Sequence, residues 1–212
     1  MQNRTVVVPH LSALEVFAAA SIALLLVPGP AVLYIVTQSA EHGRRAGLVS
    51  VTGIHLGTTV HLVAATIGLS ALIAASATAF TAVKLAGAVY LVHVGIRKLL
   101  EREPPLASRV PSGTLRRLFW QGVVVNVLNP KTALFFLAFL PQFVERSRGA
   151  VWSQVLILGL LFMLLGFISD SLYALASGTI AGALRRRRTF FRVGSGAVFI
   201  GLGAVAALAK RK

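Results

Sequence analysis

Lys131, Asp170 and His61 each stand inside a stretch of sequence that is otherwise apolar, and the stretch around Lys131 also holds a proline that a helix interior would reject. An ammonium group offers a fixed positive charge, a carboxylate an anion or a proton acceptor, and an imidazole a charge that changes near neutral pH. Lys131 lies about 13 residues into the run 118–143, which at 1.5 Å per residue is roughly 20 Å along a helix. A lysine at the centre of a membrane helix costs about 2.5–3.5 kcal/mol to insert, and such residues usually face a cavity on a transport path. The bland alternative is a lysine that snorkels or lies neutral in a bundle. Asp170 is the one acid between Arg148 and Arg185. An unpaired carboxylate in hydrocarbon takes up a proton rather than stay charged, so Asp170 reads as a partner of Lys131 or as a proton-binding site. A buried ion pair that only fixes packing is its structural alternative. For His61 the two readings are a proton-coupling group and a packed histidine bonded to a neighbouring carbonyl.

The elements that must position these groups are broken helices. The uncharged run from Val16 to Ala40 contains Pro28, Gly29 and Pro30. A helical proline cannot donate to the carbonyl four residues back, so Pro28 frees the carbonyl of Leu24 and Pro30 that of Leu26. One proline suffices for a kink, whereas two around a glycine predict a short unwound segment with exposed backbone groups. Asn129-Pro130-Lys131 repeats the break about a hundred residues later. Membrane helices tolerate such breaks where the loosened backbone faces protein or a water-filled cavity.

The chain has 212 residues, is 56% hydrophobic and only 13% charged, and its mean hydropathy is +0.80. This excludes an ordinary soluble domain. The composition predicts an all-α integral membrane protein with six transmembrane helices at about 12–37, 47–74, 79–99, 118–143, 152–183 and 191–209. The first is too long and uncharged for a cleaved signal sequence and is expected to stay as a helix. The formal charge of +15 would suggest nucleic acid in a soluble chain. Here the basic residues gather after the first, third and fifth spans, in Arg44-Arg45, in the 97–117 region and in Arg185 to Arg188. That pattern signals a cytoplasmic face, with both termini outside, and no nucleic-acid partner is expected. The arginine run also suits anionic lipid headgroups.

Residues 100–117, rich in proline, divide the chain into a first half at 1–100, a linker at 101–117 and a second half at 118–212. Three spans in each half place the halves in opposite orientation, as two inverted three-helix repeats. Gly53, Gly57, His61 and Gly68 share one helix face and form a small-residue seam. His55 falls on nearly the opposite side and receives only a structural reading. The glycines of the link Glu41 to Gly47 predict a tight turn. Gly87, Leu91 and Gly95, and Gly194, Gly196, Gly201 and Gly203, read as packing, with Lys84 snorkelling. Gly159, Gly166, Asp170, Tyr173 and Ser177 line one face of the fifth span.

Both breaks present a second-half N-terminus with free amides and a positive dipole end. With Lys131 the site suits a carboxylate, and with Asp170, Tyr173 and the freed carbonyls it suits an ammonium group. A zwitterion such as an amino acid fits both. The chain resembles the LysE/RhtB type of bacterial amino-acid exporters on Pro28-Gly29-Pro30, Gly43-Arg44-Arg45-Ala46-Gly47, the Gly53, Gly57, His61, Gly68 series, Gly87 to Leu91, Asn129-Pro130-Lys131, Phe135-Phe136 and Pro141-Gln142-Phe143. The resemblance covers nearly the whole chain. It implies efflux of amino acids or their derivatives, driven by proton antiport, across a bacterial inner membrane. Some members carry a carboxylate at the position of Thr58 and others a histidine at that of His61, as here. The expected substrate-binding residues are Pro28, Gly29, Pro30, Asn129, Pro130, Lys131, Asp170 and Tyr173, with Asp170 and His61 for proton coupling. The expected partners are a small zwitterion, protons and membrane lipid, with a homodimer as one open assembly state. No cofactor or metal is expected. The rival readings are efflux of an inorganic or organic cation, a membrane-embedded hydrolase using Ser169, His61 and Asp170, and a non-transporting assembly subunit. Absent cysteine and a single buried acid count against soft or multivalent metals.

Overall fold

The apolar runs fold as helices, and the prolines break two of them where the sequence places them. The computed structural model describes residues 6–100, 114–148, 150–177, 179–180, 186 and 188–208. The first run divides into α1, Leu11–Leu26, and α2, Pro30–His42, bent by 52° at the break. Gly43, with φ +85°, ends α2 and turns the chain directly into α3, Arg44–Ala75. α4 covers Ala77–Leu100. In the second half α5, Leu115–Val127, is followed after a 45° bend by α6, Pro130–Leu134, which runs on through a π-helical turn, Phe135–Phe139, and a 3-10 turn, Leu140–Phe143. A short 3-10 turn, Arg146–Arg148, leads to α7, Val151–Leu175, and α8 covers Arg188–Leu208. Most of the linker at 101–117, Arg185, Arg187 and the Lys84 side chain lie outside the described residues.

No strand occurs among the described residues. α3 and α7 are each long and apolar enough to cross a membrane, and each bent pair passes the same test as one span, which makes up to four. α4 adds a shorter apolar stretch, Leu85–Arg97. Leu11, Leu100 and Leu128 are 73%, 76% and 74% exposed. Side chains of that kind, left in numbers on the outside of the bundle, are in their proper solvent only in lipid.

α3 is the central element, packed on one side by α5 and on the other by α7. α2 lies against α3, α5 and α7, and α4 pairs with α8. An aromatic core of Phe17, Phe135, Phe136, Phe139, Phe143 and Phe162 joins α1, the π-helical turn and α7. Two expectations change here. Gly47 takes no part in the turn; it is the fourth residue of α3, where a Cβ would lie 2.5 Å from the Ser39 Cβ. Its smallness lets α2 approach α3 and lets Ser39 Oγ donate to the Ala174 carbonyl at 2.6 Å. The fifth span, expected as one helix over 152–183, is interrupted after Leu175 by a turn at Ala176, with helix again at 177 and 179–180; residues 181–183 lie outside the described residues.

The seam of small residues on α3 faces α5, and its members differ in what they meet. A Cβ on Gly53 would lie 2.1 Å from the Phe119 carbonyl oxygen, whereas one on Gly68 meets nothing within 4 Å. Backbone cannot rotate away as a side chain can, so Gly53→Ala forces α3 and α5 apart. Overpacking of this kind costs about 1–3 kcal/mol. Thermal unfolding of the purified protein should show a lowered midpoint for Gly53→Ala and an unchanged or slightly raised one for Gly68→Ala. Equal midpoints would remove the close approach as a determinant of stability.

Candidate functional site

Both helix breaks open onto one cavity. Its lining includes Leu24, Leu25, Gly29, Ala31 and Val32 from the first break, and Asn126, Asn129, Lys131 and Thr132 from the second. His55 and Thr58 of α3, and Phe162, Gly166 and Asp170 of α7, complete the lining with Ile54. The cavity volume is about 40 Å³, room for a few water molecules and too little for an amino acid until the helices part.

Each carbonyl released by a proline at the two breaks has a partner. Leu24, which Pro28 cannot reach, accepts from the Val27 amide at 3.2 Å. Leu26, released by Pro30, accepts from the Tyr173 hydroxyl at 2.9 Å. Asn126, released in the same way by Pro130, lies 3.0 Å from His61 Nε2 and also accepts from the Asn129 amide at 3.0 Å. Tyr173 and His61 therefore do matching work: each is a side chain of the other half of the chain, set against the carbonyl four residues before a proline. Within a bilayer, where no water replaces the missing amide, a freed carbonyl would otherwise lose a hydrogen bond outright.

Lys131 reaches from the second break to the first. Its Nζ donates to the Val27 carbonyl at 2.5 Å, and its stem passes Gly29 so closely that a Cβ there would lie 3.0 Å from the lysine Cδ. A side chain at position 29 would make the lysine stem give by a few tenths of an ångström. The second break is held by Asn126, whose amide nitrogen donates to the Ile54 carbonyl at 2.9 Å and to Thr58 Oγ1 at 2.8 Å. Its Oδ1 accepts from Asn129 Nδ2 at 3.1 Å and from Thr132 Oγ1 at 3.0 Å. Asn129 also caps α6, accepting from the Lys131 amide at 3.0 Å, so one expected free donor at this break is already used. α2 has no side-chain cap, with Gly29 at its N-cap and Pro30 opening the helix.

Asp170 is bonded to His55, not to Lys131: His55 Nε2 lies 3.2 Å from Asp170 Oδ2. His55 is the residue that sequence reasoning missed. It does lie on the side of α3 away from the glycine seam, but that side packs on α7, because α3 is enclosed on both flanks. The available signal was that an imidazole within a span is not left facing lipid, so a histidine opposite one seam implies a second. The arrangement of Ser169 with His61 and Asp170 is not assembled, since His61 is set on Asn126 and Asp170 on His55.

Of the residues expected to bind substrate, Gly29, Asn129, Lys131 and Asp170 line the cavity; Tyr173 holds the first break from outside that lining. Thr58, which accepts from Asn126 Nδ2, lines it too. Among the described residues no group of three or more His, Asp or Glu side chains could hold a metal ion.

The chain was compared with known proteins. A family model described as LysE type translocator matches residues 22–210. An uncharacterized membrane protein of Vibrio cholerae is 33% identical over 189 residues, covering 87% of this chain and 91% of the relative. A homoserine/homoserine lactone efflux protein of Salmonella typhimurium is 30% identical over 190 residues, covering 88% and 92%. A leucine efflux protein of an Enterobacter species is 27% identical over 189 residues, covering 85% and 88%. No solved structure matches the chain.

Proposed function

The chain belongs to the LysE type translocator family, and on that premise we propose that it exports a small zwitterionic amino acid or derivative from the cytoplasm in exchange for protons. The observation that carries this is that the Lys131 ammonium and the Asp170 carboxylate line one cavity, each on a partner that a substrate can replace. A substrate carboxylate offers Lys131 a charged acceptor in place of the neutral Val27 carbonyl, and charge-assisted bonds are roughly twice as strong. The substrate ammonium then takes Asp170. The remaining wall, Leu24, Leu25, Val32, Ile54 and Phe162, is apolar and suits an uncharged side chain. Relatives named for homoserine and leucine efflux point to the same class. A fixed ammonium beside the single carboxylate works against efflux of an inorganic cation.

The six-span arrangement with inverted halves, 1–100 and 118–212 joined by 101–117, is part of this proposal. Its support is that packing comes in matched sets: the first broken helix lies on α7 as the second lies on α3, while α3 pairs with α7 and α4 with α8. An inverted repeat produces such pairs, and rocking one half against the other would open the cavity to each side in turn. The proposed setting is a bacterial inner membrane with both termini outside, with lipid around the bundle and a homodimer as one assembly to test.

Proteoliposomes loaded with labelled homoserine or leucine test the proposal, with and without an imposed pH gradient. Accumulation or release should follow the gradient in the wild type. Asp170→Asn should lose the response to the gradient, whereas His61→Gln should keep it at a reduced rate, because Gln can still donate to the Asn126 carbonyl. Absence of any amino-acid flux would overturn the proposal, and a gradient response in Asp170→Asn that is missing in His61→Gln would exchange the two roles.

A further inference from the structure

We propose that Asp170 is a shared counter-ion, held by protonated His55 when the cavity is empty and by the substrate's ammonium group when it is loaded, so that binding an amino acid expels a proton. This rests on the cavity being a zwitterion site and supplies the step that couples it to protons. The pair is a built feature of the fold. The His55 and Asp170 side chains are 11% and 8% exposed, and the ring is set edge-on to Phe167 with centroids 5.3 Å apart. Gly166, one turn before Asp170, provides the slot: a Cβ there would lie 3.2 Å from His55 Cε1 and 3.8 Å from Nε2. A Cβ there would press on the ring, which would have to give by a few tenths of an ångström.

The charged and titratable groups around His55 are few. α7 presents Asp170, and Tyr173 with its hydroxyl on the Leu26 carbonyl; the second break presents Lys131 across the cavity. The lining residues from α1, α2 and α5 carry no ionisable side chain, and His61 on α3 itself is set on the Asn126 carbonyl. Lys131 is engaged by the Val27 carbonyl, which leaves His55 as the bonded partner of the buried carboxylate. The 3.2 Å contact between His55 Nε2 and Asp170 Oδ2 has the geometry of an ion pair whenever the ring carries a second proton. A substrate ammonium arriving at Asp170 neutralises that anion and sets a like charge beside the ring. Both changes favour loss of the proton, which leaves the ring nitrogen for water in the opened cavity. When the cavity faces outward the competition runs in reverse: a proton taken up by His55 reclaims Asp170 and releases the ammonium. Two cations that compete for one carboxylate give exchange without any further moving part.

The test is proton release on binding, read with a pH indicator in weakly buffered detergent solution of the full-length protein. Homoserine and leucine are the probes, and ligand-induced thermal shift reports binding. The wild type should release up to one proton per bound amino acid. The matching α-hydroxy acids, which keep the carboxylate and lack the ammonium, should shift the melting point and release none. His55→Gln should bind and release none. Gly166→Ala should release fewer protons than the wild type. Equal release by the hydroxy acids, a comparison that needs no variant, would overturn the proposal, as would undiminished release from a folded, binding-competent His55→Gln. Proteoliposome flux of the same probes is measured first: if it is absent, the zwitterion site itself fails and this proposal falls with it, whereas flux without ammonium-dependent release sinks the shared counter-ion alone.

Discussion

Replacing Lys131 with methionine is expected to abolish amino-acid export while leaving a folded, membrane-inserted protein. Methionine preserves the apolar stem that passes Gly29 and removes only the ammonium group that donates to the Val27 carbonyl. Two opposing costs keep stability near that of the wild type. The Val27 carbonyl loses its partner, worth about 1–3 kcal/mol for a buried acceptor, but a buried ammonium with its own desolvation cost disappears as well. Transport has no such compensation. A substrate carboxylate entering the cavity would meet Asp170, with no lysine or arginine left among the lining residues and His55 already set on that aspartate. Loss of a buried charge-assisted bond of about 3 kcal/mol corresponds to a fall on the order of 100-fold in affinity. Proteoliposome exchange at substrate concentrations that half-saturate the wild type should fall to background. The thermal midpoint, measured on the same preparation, should move little. Normal exchange would remove Lys131 from the site.

The positions of the breaks were legible in the sequence because proline acts locally: Pro30 and Pro130 each open a new helix wherever they stand in an apolar run. The seam at Gly53 and Gly57 was legible because two glycines four apart have one use in a span, and both meet the backbone of α5. What could not be read was which helix lies on each flank. A helical wheel places His55 nearly opposite the glycine seam, yet only the fold says that α7 is there and that it brings Asp170. The same limit hid the partners of the freed carbonyls, since Tyr173 and His61 come from the opposite half of the chain. Gly47 was misread for a related reason. Glycine is used both for backbone angles, as at Gly43, and for close approach, and only the position of Ser39 tells them apart.

Replacing Pro28, Gly29 and Pro30 together with alanine is expected to raise thermal stability and eliminate export. Each proline costs roughly 3 kcal/mol relative to alanine within a helix, and glycine about 1 kcal/mol, so the variant gains strongly from closing α1 and α2 into one continuous span. The restored amides at 28 and 30 would claim the Leu24 and Leu26 carbonyls, and the amide of residue 31 would claim that of Val27. Tyr173 would then lose its acceptor at Leu26, and Lys131 would lose its acceptor at Val27. A methyl group at position 29 would press on the lysine stem as well. The 52° bend would straighten, and with it the displacement that brings Gly29, Ala31 and Val32 to the cavity wall. The purified variant should therefore melt higher than the wild type and show no exchange of homoserine or leucine. Pro28→Ala alone separates an open backbone from a simple kink. Its new amide competes with that of Val27 for the Leu24 carbonyl and leaves Pro30, the Leu26 carbonyl and the Tyr173 contact in place, so exchange should persist at a reduced rate. A triple variant that exchanges normally would move the substrate path away from the first break.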